Sequence, residues 1–393
     1  MMSKPVIVSA VRTAIARQGG ALASLPYYEY GAEVMKEAVK RANLNKDEID
    51  DVIYGNCLSG GGNAARMTLL EAEFPVTVPG LTIDRQCGSS INSVALAADL
   101  IRAGRGTIFL AGGVESMSRT PHLLASASRP YDRQPPGFVK RQLSPEKIGD
   151  PPMGITAENL ADKYRITREE QDTYAAESQR RMANAVEEGF FDEQIVPIKV
   201  KVGKEVVLFD RDEHPRPGTS KEKLLKLRPV FKEGGSVTAG NSSGVNDGAS
   251  AVVVMSAGEA EKRGLDIMAY VVDSQVAGVD PNIMGIGPVP AVRKLLERNN
   301  LTIEDIDFVE LNEAFAVQVL ACNFELNIPL EKLNINGGAI AHGHPIAATG
   351  GMLVAKAVYE MKRSGAKLSI VTACIGGGQG IALLLENKSG VLK

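Results

Sequence analysis

Residues 33–54, EVMKEAVKRANLNKDEIDDVIY, decide how the chain is built, because a related stretch returns at residues 290–311 as PAVRKLLERNNLTIEDIDFVEL. Aligned without a gap, the two copies share identical residues that include Leu44 and Leu301, Ile49 and Ile306, Asp50 and Asp307, and Val52 and Val309. Each copy reads as an amphipathic helix, a polar connection and a strand. The repeat therefore predicts a core made of two similar β/α halves.

The helices near the two copies differ in their apolar surface. In the first copy, apolar residues follow the i, i+3, i+4, i+7 spacing of one buried face: Met35, Ala38, Val39 and Ala42. Two later helices are apolar nearly all round, since only Asp99 is charged between residues 88 and 101, and only Lys356 and Glu360 between residues 345 and 361. Such helices must be buried on all sides. We therefore expect an α/β fold of five layers, α/β/α/β/α, with these two helices in the central layer.

An insertion separates the parts of the first half. The last strand pattern of the second half, residues 381–385, has its counterpart only at residues 251–255. We accordingly predict an N-terminal half at residues 1–118 plus 248–270, an inserted loop domain at residues 119–247, and a C-terminal half at residues 271–393. The inserted segment contains a proline-rich stretch at residues 128–152. We expect it to cover a site, because long insertions in compact folds are usually functional or disordered.

Composition narrows the class of protein. The 393 residues are 44% hydrophobic and 23% charged with a net charge of -3, which lacks the basic excess of a nucleic-acid-binding protein. No apolar run approaches the ~20 residues that span a bilayer. Four cysteines without a C-x-x-C pair indicate reduced thiols, and the first residues lack the apolar core of a signal peptide. We expect a cytoplasmic protein with no nucleic-acid or membrane partner.

Four short segments carry the candidate chemistry. They read DRQCGSS at residues 84–90, NEAFA at 312–316, NGGAIAHGHP at 336–345 and CIGGGQG at 374–380. In this order and spacing they are highly specific, and through them the chain resembles the thiolase family over essentially its whole length. The resemblance implies a duplicated thiolase-like core with an inserted loop domain. It also implies an acyltransferase that makes or breaks the carbon–carbon bond of a 3-ketoacyl-CoA.

Cys87 and His344 stand opposite each other in the repeat, each in a glycine-containing loop before a helix. Cys87 resembles the thiolase nucleophile that accepts the acyl group. At a helix entry we expect backbone N–H groups and the helix dipole to lower its pKa. The alternative is a buried small hydrophobic residue, which is the usual state of a lone cysteine. His344 resembles the histidine that activates this cysteine and then donates to a thioester oxygen.

Three further residues complete the catalytic set that the resemblance implies. Asn312 corresponds to the asparagine that holds a water for an oxyanion hole, although it would also suit a strand-end cap. Cys374 corresponds to the second cysteine, which protonates the enolate in cleavage and removes the C2 proton in synthesis. Gly376 would give a second oxyanion hole its N–H beside that of Cys87, although a flexible glycine-rich turn is the alternative. Cys57 and Cys322 match no motif, and we expect them in the core.

The inserted segment resembles the thiolase loop domain more loosely. On that resemblance Met153 and Ser243 would contact CoA, and Phe231 would line the tunnel for its pantetheine arm. Arg216 could pair with phosphate or stack on adenine, but an exposed arginine is as often plain surface. CoA enters as a substrate, so we expect no organic cofactor. His342 and His344 suggest a metal pair only weakly, because two residues on a loop are too few ligands, and we predict no metal.

Departures from the family pattern bear on the substrate. Ser90 and Ala347 replace glycines and should alter packing near the site. Pro152 stands where acetoacetyl-CoA-specific members often have a histidine, and it can neither donate a hydrogen bond nor swing into the pocket. We therefore favour a 3-ketoacyl-CoA thiolase of broader chain length over a strict acetoacetyl-CoA (acetyl-CoA C-acetyltransferase) enzyme.

Two remoter functions and the quaternary structure complete the expectations. A decarboxylating condensing enzyme of the same superfamily would use one cysteine with two histidines, whereas Asn312 and Cys374 stand here. A non-catalytic acyl-CoA-binding protein would not need the four reactive side chains. The family resemblance implies a homodimer or homotetramer, and a duplicated α/β core often presents an edge strand to a two-fold partner.

Overall fold

The computed structural model describes residues 3–127, 129–131 and 135–388. The proline-rich stretch at residues 128–152 is therefore covered except for residue 128 and residues 132–134. The strands are β1 (Pro5–Thr13), β2 (Ala16–Arg17), β3 (Asp51–Gly55), β4 (Gly80–Ile83), β5 (Ile108–Ser116), β6 (Leu123–Leu124), β7 (Phe138–Val139), β8 (Ile195–Val196), β9 (Ile198–Val202), β10 (Glu205–Phe209), β11 (Asn246–Ser256), β12 (Ala269–Gly278), β13 (Phe308–Leu311), β14 (Leu368–Ile375) and β15 (Gln379–Glu386).

The helices divide between the repeated halves and the inserted segment. They are α1 (Tyr27–Arg41), α2 (Ala64–Glu71), α3 (Ser89–Arg102), α4 (Met153–Tyr164), α5 (Arg168–Glu187), α6 (Lys221–Leu224), α7 (Ala257–Lys262), α8 (Pro288–Arg298), α9 (Ala316–Leu326), α10 (Ala339–His342) and α11 (Thr349–Ser364). Within the described residues, no helix combines the length and apolar character needed to cross a membrane.

The strand order shows the duplication directly. The first half runs β1-β11-β5-β3-β4, and the second runs β12-β15-β14-β13 in the matching order. In both halves the first two pairings are antiparallel, and the next, β5 with β3 or β14 with β13, is parallel. The two sets are joined where β1 pairs with β12 at Val6↔Tyr270 and Ile7↔Ala269, so the strands form one hydrogen-bonded path.

Two identical residues of the repeat do the same work in both halves. Asp50 Oδ2 accepts hydrogen bonds from the N–H groups of Thr107 and Ile108 at 2.6 and 2.9 Å. Asp307 Oδ2 accepts from the N–H groups of residues 367 and 368 at 2.6 and 2.9 Å. Each carboxylate thus satisfies the backbone where the next parallel strand begins. This shared contact explains why both copies need aspartate at that position.

The two nearly all-apolar helices lie among strands of both halves. Helix α3 contacts β3, β5 and β11 of the first half and β12 and β15 of the second. Helix α11 contacts α3, β1, β5, β11 and β14. One buried cluster accordingly joins side chains of both helices, such as Ile91, Val94, Leu353 and Val358, with strand residues of both halves. These contacts place the pair at the centre, as the sequence pattern predicts.

The inserted segment contains regular helices as well as loops. Helix α4 packs on α9, and the 20-residue α5 packs on α9 and α10. Helix α5 begins at a capping box in which Thr167 and Glu170 satisfy each other's backbone N–H groups. Helices α4 and α5 therefore lie against the second half, close to the segments that carry Asn312 and His344, whereas β8 of the same inserted segment pairs with β1 of the first half.

Candidate active site

The four sequence motifs meet at the ends of neighbouring elements. Cys87 lies in a 3₁₀ turn, Gln86–Gly88, that leads into α3. Asn312 follows β13, and its N–H donates to Thr372 O of β14 at 2.9 Å. Cys374 lies two residues further along β14. Because β13 and β14 are parallel, their carboxyl ends share one edge, and His344 reaches the same point from the loop before α11.

Cys87 and His344 are in direct contact. The Nε2 atom of His344 lies 3.2 Å from the Sγ atom of Cys87. Asn312 Nδ2 lies 3.4 Å from the same Nε2. The Oδ1 atom of Asn312 is buried and has no hydrogen-bond partner within the described residues, so one acceptor is free for a water or a substrate group. The set can transfer a proton from sulfur to imidazole and bind a polar oxygen beside it.

Thr349 fixes the tautomer of His344. Its Oγ1 donates a hydrogen bond to Pro345 O at 2.9 Å and lies 2.7 Å from His344 Nδ1. A hydroxyl has one hydrogen and a carbonyl can only accept, so Thr349 must accept from the Nδ1–H of His344. The lone pair of a neutral His344 is then on Nε2, facing Cys87. The imidazole is therefore arranged to act as a base.

Burial dominates the proton affinities of this pair. It raises the pKa of Cys87 to about 12, against the lowering by the N–H groups of Gly376 and of Cys87 itself. Burial also lowers the pKa of His344 to about 4. This direction is opposite to the lowering that the helix entry predicts, because desolvation outweighs the N–H groups at the turn. At neutral pH the free protein holds a thiol beside a neutral imidazole.

Cys374 and Gly376 lie at the same sulfur. Burial raises the pKa of Cys374 well above its ordinary value, and the nearby Cys87 adds to that rise, so Cys374 is a protonated thiol at neutral pH. The N–H of Gly376 donates toward the Cys87 sulfur. A Cβ on Gly376 would lie 2.9 Å from Leu143 Cδ1, so the absence of a side chain leaves room for the loop that covers it. A thiol and a backbone N–H, which can serve as a proton donor and an oxyanion donor, therefore lie near Cys87.

Three of the four predicted CoA-contact residues converge on the NEAFA motif. Ser243 N–H donates to Ala314 O at 3.0 Å. The ring of Phe231 packs edge-on against Phe315, with 6.2 Å between the ring centroids. The same ring covers Gly154, beside Met153 at the start of α4. These contacts build an apolar wall with a polar rim next to Asn312.

Arg216 lies apart from that wall. It is exposed, and its backbone N–H donates to Gln179 Oε1 of α5 at 2.9 Å. Its guanidinium has no hydrogen bond or ion pair with any described residue of the chain. An exposed arginine of this kind suits both sequence interpretations, a contact to an anionic group and a plain surface residue.

The remaining cysteines and two of the sequence departures, Ser90 and Ala347, are buried. Cys322 is fully buried, and Cys57 lies in the core with its Sγ 3.3 Å from Ser89 Oγ, behind the turn that carries Cys87. Ser90 Oγ accepts a hydrogen bond from the N–H of Gly351 at 2.8 Å, so it packs α3 against α11. Ala347 is fully buried in the loop between His344 and α11, consistent with an effect on packing.

The two histidines of residues 342 and 344 face different partners. His342 Nδ1 lies 2.8 Å from Gly343 O, whereas His344 Nδ1 contacts Thr349. Across residues 3–127, 129–131 and 135–388, no three His, Cys, Asp or Glu side chains are grouped as metal ligands. The geometry gives no support to a metal pair.

Sequence reasoning did not single out Asn246, Glu313 or Thr349. Asn246 Oδ1 accepts the N–H of His344 at 2.9 Å, and its Nδ2 donates to Ala16 O at 2.9 Å. Asn246 lies about a hundred positions from His344, so no local pattern could reveal it. Thr349 could have been noticed from the sequence, because its hydroxyl stands five residues after His344, about one helical turn beyond the loop that carries the histidine. Glu313 lies within the NEAFA motif, which by itself indicates no role for this residue.

Comparison with known proteins covers nearly the whole chain. The family described as thiolase, N-terminal domain, matches residues 5–258, and thiolase, C-terminal domain, matches residues 265–387. Acetyl-CoA acetyltransferase of Syntrophomonas wolfei is 46% identical, covering 98% of this chain and 100% of its own. A probable acetyl-CoA acyltransferase of Staphylococcus epidermidis is 42% identical, covering 98% and 99%.

Solved structures agree in fold. The crystal structure of Bacillus anthracis acetyl-CoA acetyltransferase has a TM-score of 0.93 and 44% identity, covering 98% of this chain and 99% of that one. Human mitochondrial 3-ketoacyl-CoA thiolase in complex with CoA has a TM-score of 0.91 and 39% identity, covering 98% of both chains. With both domain families matched in order and the four motifs gathered around one cysteine, the chain belongs to the thiolase family of acyltransferases.

Proposed function

We propose that this thiolase catalyses the reversible, CoA-dependent cleavage of a 3-ketoacyl-CoA to acetyl-CoA and a shortened acyl-CoA, through an acyl-cysteine at Cys87. The observation that carries the proposal is the 3.2 Å contact between His344 Nε2 and Cys87 Sγ, with the Gly376 N–H on the same sulfur. A nucleophile, its base and an oxyanion donor at one atom are the parts that acyl transfer requires.

Cleavage begins when His344 Nε2 takes the proton of the Cys87 thiol. The thiolate attacks the C3 carbonyl of the 3-ketoacyl-CoA, and the tetrahedral oxygen is met by the N–H groups of Cys87 and Gly376. The C2–C3 bond then breaks, leaving an acyl group on sulfur and the enolate of acetyl-CoA. The enolate oxygen is stabilised by the Nε2–H of His344 and by a water held on Asn312.

Proton transfer and release complete the cycle. The thiol of Cys374 gives its proton to C2 of the enolate, which forms acetyl-CoA. The thiol of an incoming CoA then attacks the acyl group, and its proton returns to the enzyme's acid–base groups. In the reverse direction two acetyl-CoA molecules give acetoacetyl-CoA by Claisen condensation. No organic cofactor takes part, because the α-carbon of a thioester is acidic enough for a side-chain base.

CoA is proposed to run along the wall formed by Met153, Phe231 and Ser243. These residues lie beside Asn312 at one end, and the exposed Arg216 offers a cation for the phosphate end. A related human thiolase, at 39% identity, has been crystallised in complex with CoA, which supports a CoA site in this fold. The pantetheine arm would then enter between the inserted segment and the NEAFA motif.

We propose a range of acyl chain lengths, with a strict acetoacetyl-CoA enzyme as the alternative. Pro152 is exposed at the N-cap of α4, where its carbonyl accepts the N–H of Ile155 at 2.8 Å. It therefore offers no polar side chain to fix a short acyl group. The names of the relatives support both readings, since acetyl-CoA acetyltransferases and 3-ketoacyl-CoA thiolases are both among them.

We further propose the five-layer order and the division of the chain at residues 118/119, 247/248 and 270/271. The central position of α3 and α11 supports the layer order. The exchange from inserted to core elements at β11 (Asn246–Ser256) supports the second boundary. All four cysteines are free thiols, which supports a reducing compartment and hence the cytoplasm.

We also propose that the chain forms a dimer or tetramer. Strand β4 pairs only with β3 among the described strands, so one of its edges is open. Leu81 on that strand is 43% exposed. An open edge with an apolar residue is a surface that a two-fold partner can cover. Light scattering at micromolar concentration should give a mass of two or four chains, and a single species of 41.8 kDa would exclude this assembly.

Two measurements on one preparation test the reaction. Acetoacetyl-CoA absorbance should fall only when CoA is added, and intact mass should show one acetyl group after incubation with acetyl-CoA. Cys87→Ala should lose both signals, whereas Cys322→Ala should keep the adduct. Acetylation of the Cys87→Ala protein to completion would refute the assignment. Binding of acetyl-CoA without turnover or adduct would support the non-catalytic alternative.

A further inference from the structure

A buried lysine lies beneath the active site and takes no part in the proposed steps. Lys356, on α11, has a side chain that is 3% exposed, and its Nζ lies 2.7 Å from Oε2 of Glu310, which is fully buried. The same ammonium donates a hydrogen bond to Gly337 O. Apart from this ion pair, neither oxygen of Glu310 has a hydrogen-bond partner within the described part of the chain. Within the described residues, Lys356 is thus the only hydrogen-bond and ion-pair partner of that carboxylate.

The two partners of Lys356 belong to the two segments that carry catalytic side chains. Glu310 lies on β13, two residues before Asn312. Gly337 lies in the NGGAIAHGHP segment that leads to His344. The ammonium also acts on His342 of that segment, where burial first and Lys356 second hold the pKa well below its ordinary value. The Lys356 ammonium therefore contacts both the strand that leads to Asn312 and the segment that leads to His344.

A neighbouring carboxylate shows that a buried glutamate here does not need a cation. Glu313 accepts hydrogen bonds from Tyr174, Ser178 and Asn334 side chains at 2.7, 2.7 and 3.0 Å and from the Ile340 N–H at 3.1 Å. Neutral donors thus satisfy Glu313 completely. A buried ion pair is weak evidence for stability, since well-packed apolar residues often replace it without loss. The Lys356–Glu310 pair is better explained by what it connects.

We propose that Lys356 is a positioning residue for the thiolase reaction, holding the Asn312 and His344 segments at a fixed separation by binding Glu310 and Gly337 O together. The 3.4 Å distance between Asn312 Nδ2 and His344 Nε2 is the separation it controls. That distance decides whether both groups reach one enolate oxygen. The inference rests on the proposed function, and it adds two residues that touch neither substrate nor the reacting atoms.

The test compares four full-length variants with wild-type protein. Lys356→Met alone leaves the Glu310 carboxyl in the interior without its only partner, where burial already raises its pKa to about 7, so this variant should lose both stability and activity. The double variant Lys356→Met/Glu310→Leu removes both charges and should regain a melting temperature near wild type. In that stable protein we expect kcat to remain at least about 10-fold below the wild-type value, because the reacting groups are misplaced. KM for acetoacetyl-CoA should stay within about 2-fold of wild type, because the CoA site is unchanged. Lys362→Met, an exposed site on the same helix, is the control and should match wild type.

The outcomes separate this inference from the function on which it rests. A stable double variant with wild-type kcat and wild-type rate of Cys87 acetylation would overturn the positioning role while leaving the thiolase reaction intact. Inactive wild-type protein would instead overturn the reaction. If the double variant does not fold, Glu310→Asp decides, since it keeps the charge and shortens the reach by one methylene. A folded Glu310→Asp protein with unchanged kcat would equally overturn the role.

Discussion

The Oγ1 of Thr349 lies 2.7 Å from Nδ1 of His344 and donates its only hydrogen to Pro345 O. The hydroxyl therefore acts on the imidazole as an acceptor, which keeps the proton on Nδ1 and the lone pair of Nε2 toward Cys87. A residue outside the four motifs therefore fixes the tautomer of His344, the base of the proposed reaction.

Replacing Thr349 should impair the base without removing it. Thr349→Val keeps the shape and loses the acceptor, so the imidazole can rotate or hold its proton on the wrong nitrogen. We expect kcat to fall about 10-fold or more with little change in KM, within the range typical of general-base assistance. Thr349→Ser keeps the hydroxyl and should retain most activity. Steady-state thiolysis of acetoacetyl-CoA measures both, and equal rates for the valine and serine variants would remove the role.

Cys374 should be separable from Cys87 by its step. Cys374→Ser should still form the acetyl adduct on Cys87, because the nucleophile and His344 are untouched. Turnover in both directions should fall at least ~100-fold, since a serine hydroxyl is a far poorer acid–base group at C2. Intact mass and a coupled assay on the same sample give the two readings. Near-normal turnover would assign the C2 proton to another residue.

The reactivity of Cys87 should show its raised pKa. A thiol with a pKa of about 12 is almost wholly protonated near neutrality, and its thiolate fraction grows about tenfold for each unit of rising pH. Alkylation of Cys87 by iodoacetamide in the free enzyme should therefore keep accelerating from about pH 6 to about pH 9. His344, with its pKa lowered to about 4, stays neutral throughout and adds no inflection.

Peptide mass spectrometry can follow that alkylation, with Cys87→Ala giving the background from the other three cysteines. Levelling of the rate below about pH 8 would mean that the thiolate forms far more readily than burial allows. The sequence interpretation expected such levelling, because the turn before a helix favours a thiolate. The measurement therefore decides between local backbone effects and desolvation.

The local sequence pattern predicts the duplicated β/α core well, because the same pattern occurs twice in the chain. Asp50 and Asp307 hold the same position in the repeat and make the same pair of backbone contacts. The opposition of Cys87 and His344 in that repeat likewise anticipates their contact. What pattern could not give is the pKa of Cys87, since desolvation depends on residues that tertiary packing brings together, including Ile375 against Gly88. The role of Asn246 could not be predicted for the same reason, since only tertiary packing brings it to His344.

The proline-rich segment also contributes a residue that sequence reasoning did not name. Leu143 covers the glycine motif, since a Cβ on Gly376 would lie 2.9 Å from its Cδ1 and one on Gly377 would lie 2.7 Å from its carbonyl oxygen. Asp150 holds this loop, accepting the Leu143 N–H at 3.1 Å and pairing with Lys140 at 2.8 Å. Leu143 is thus fixed beside the proposed oxyanion site.

The last prediction is that Leu143 limits the acyl chain. Truncation by Leu143→Ala would open apolar space next to Cys87, and each methylene buried there can contribute up to ~0.8 kcal/mol. We expect kcat/KM for 3-ketohexanoyl-CoA relative to acetoacetyl-CoA to rise several-fold, while Leu124→Ala, at a leucine 58% exposed in the same inserted segment, should leave the ratio unchanged. An unchanged ratio for Leu143→Ala would place the chain-length limit elsewhere in the pocket. If wild type and variant both turn over only the four-carbon substrate, the argument from Pro152 fails and the strict acetoacetyl-CoA reading replaces the broader one.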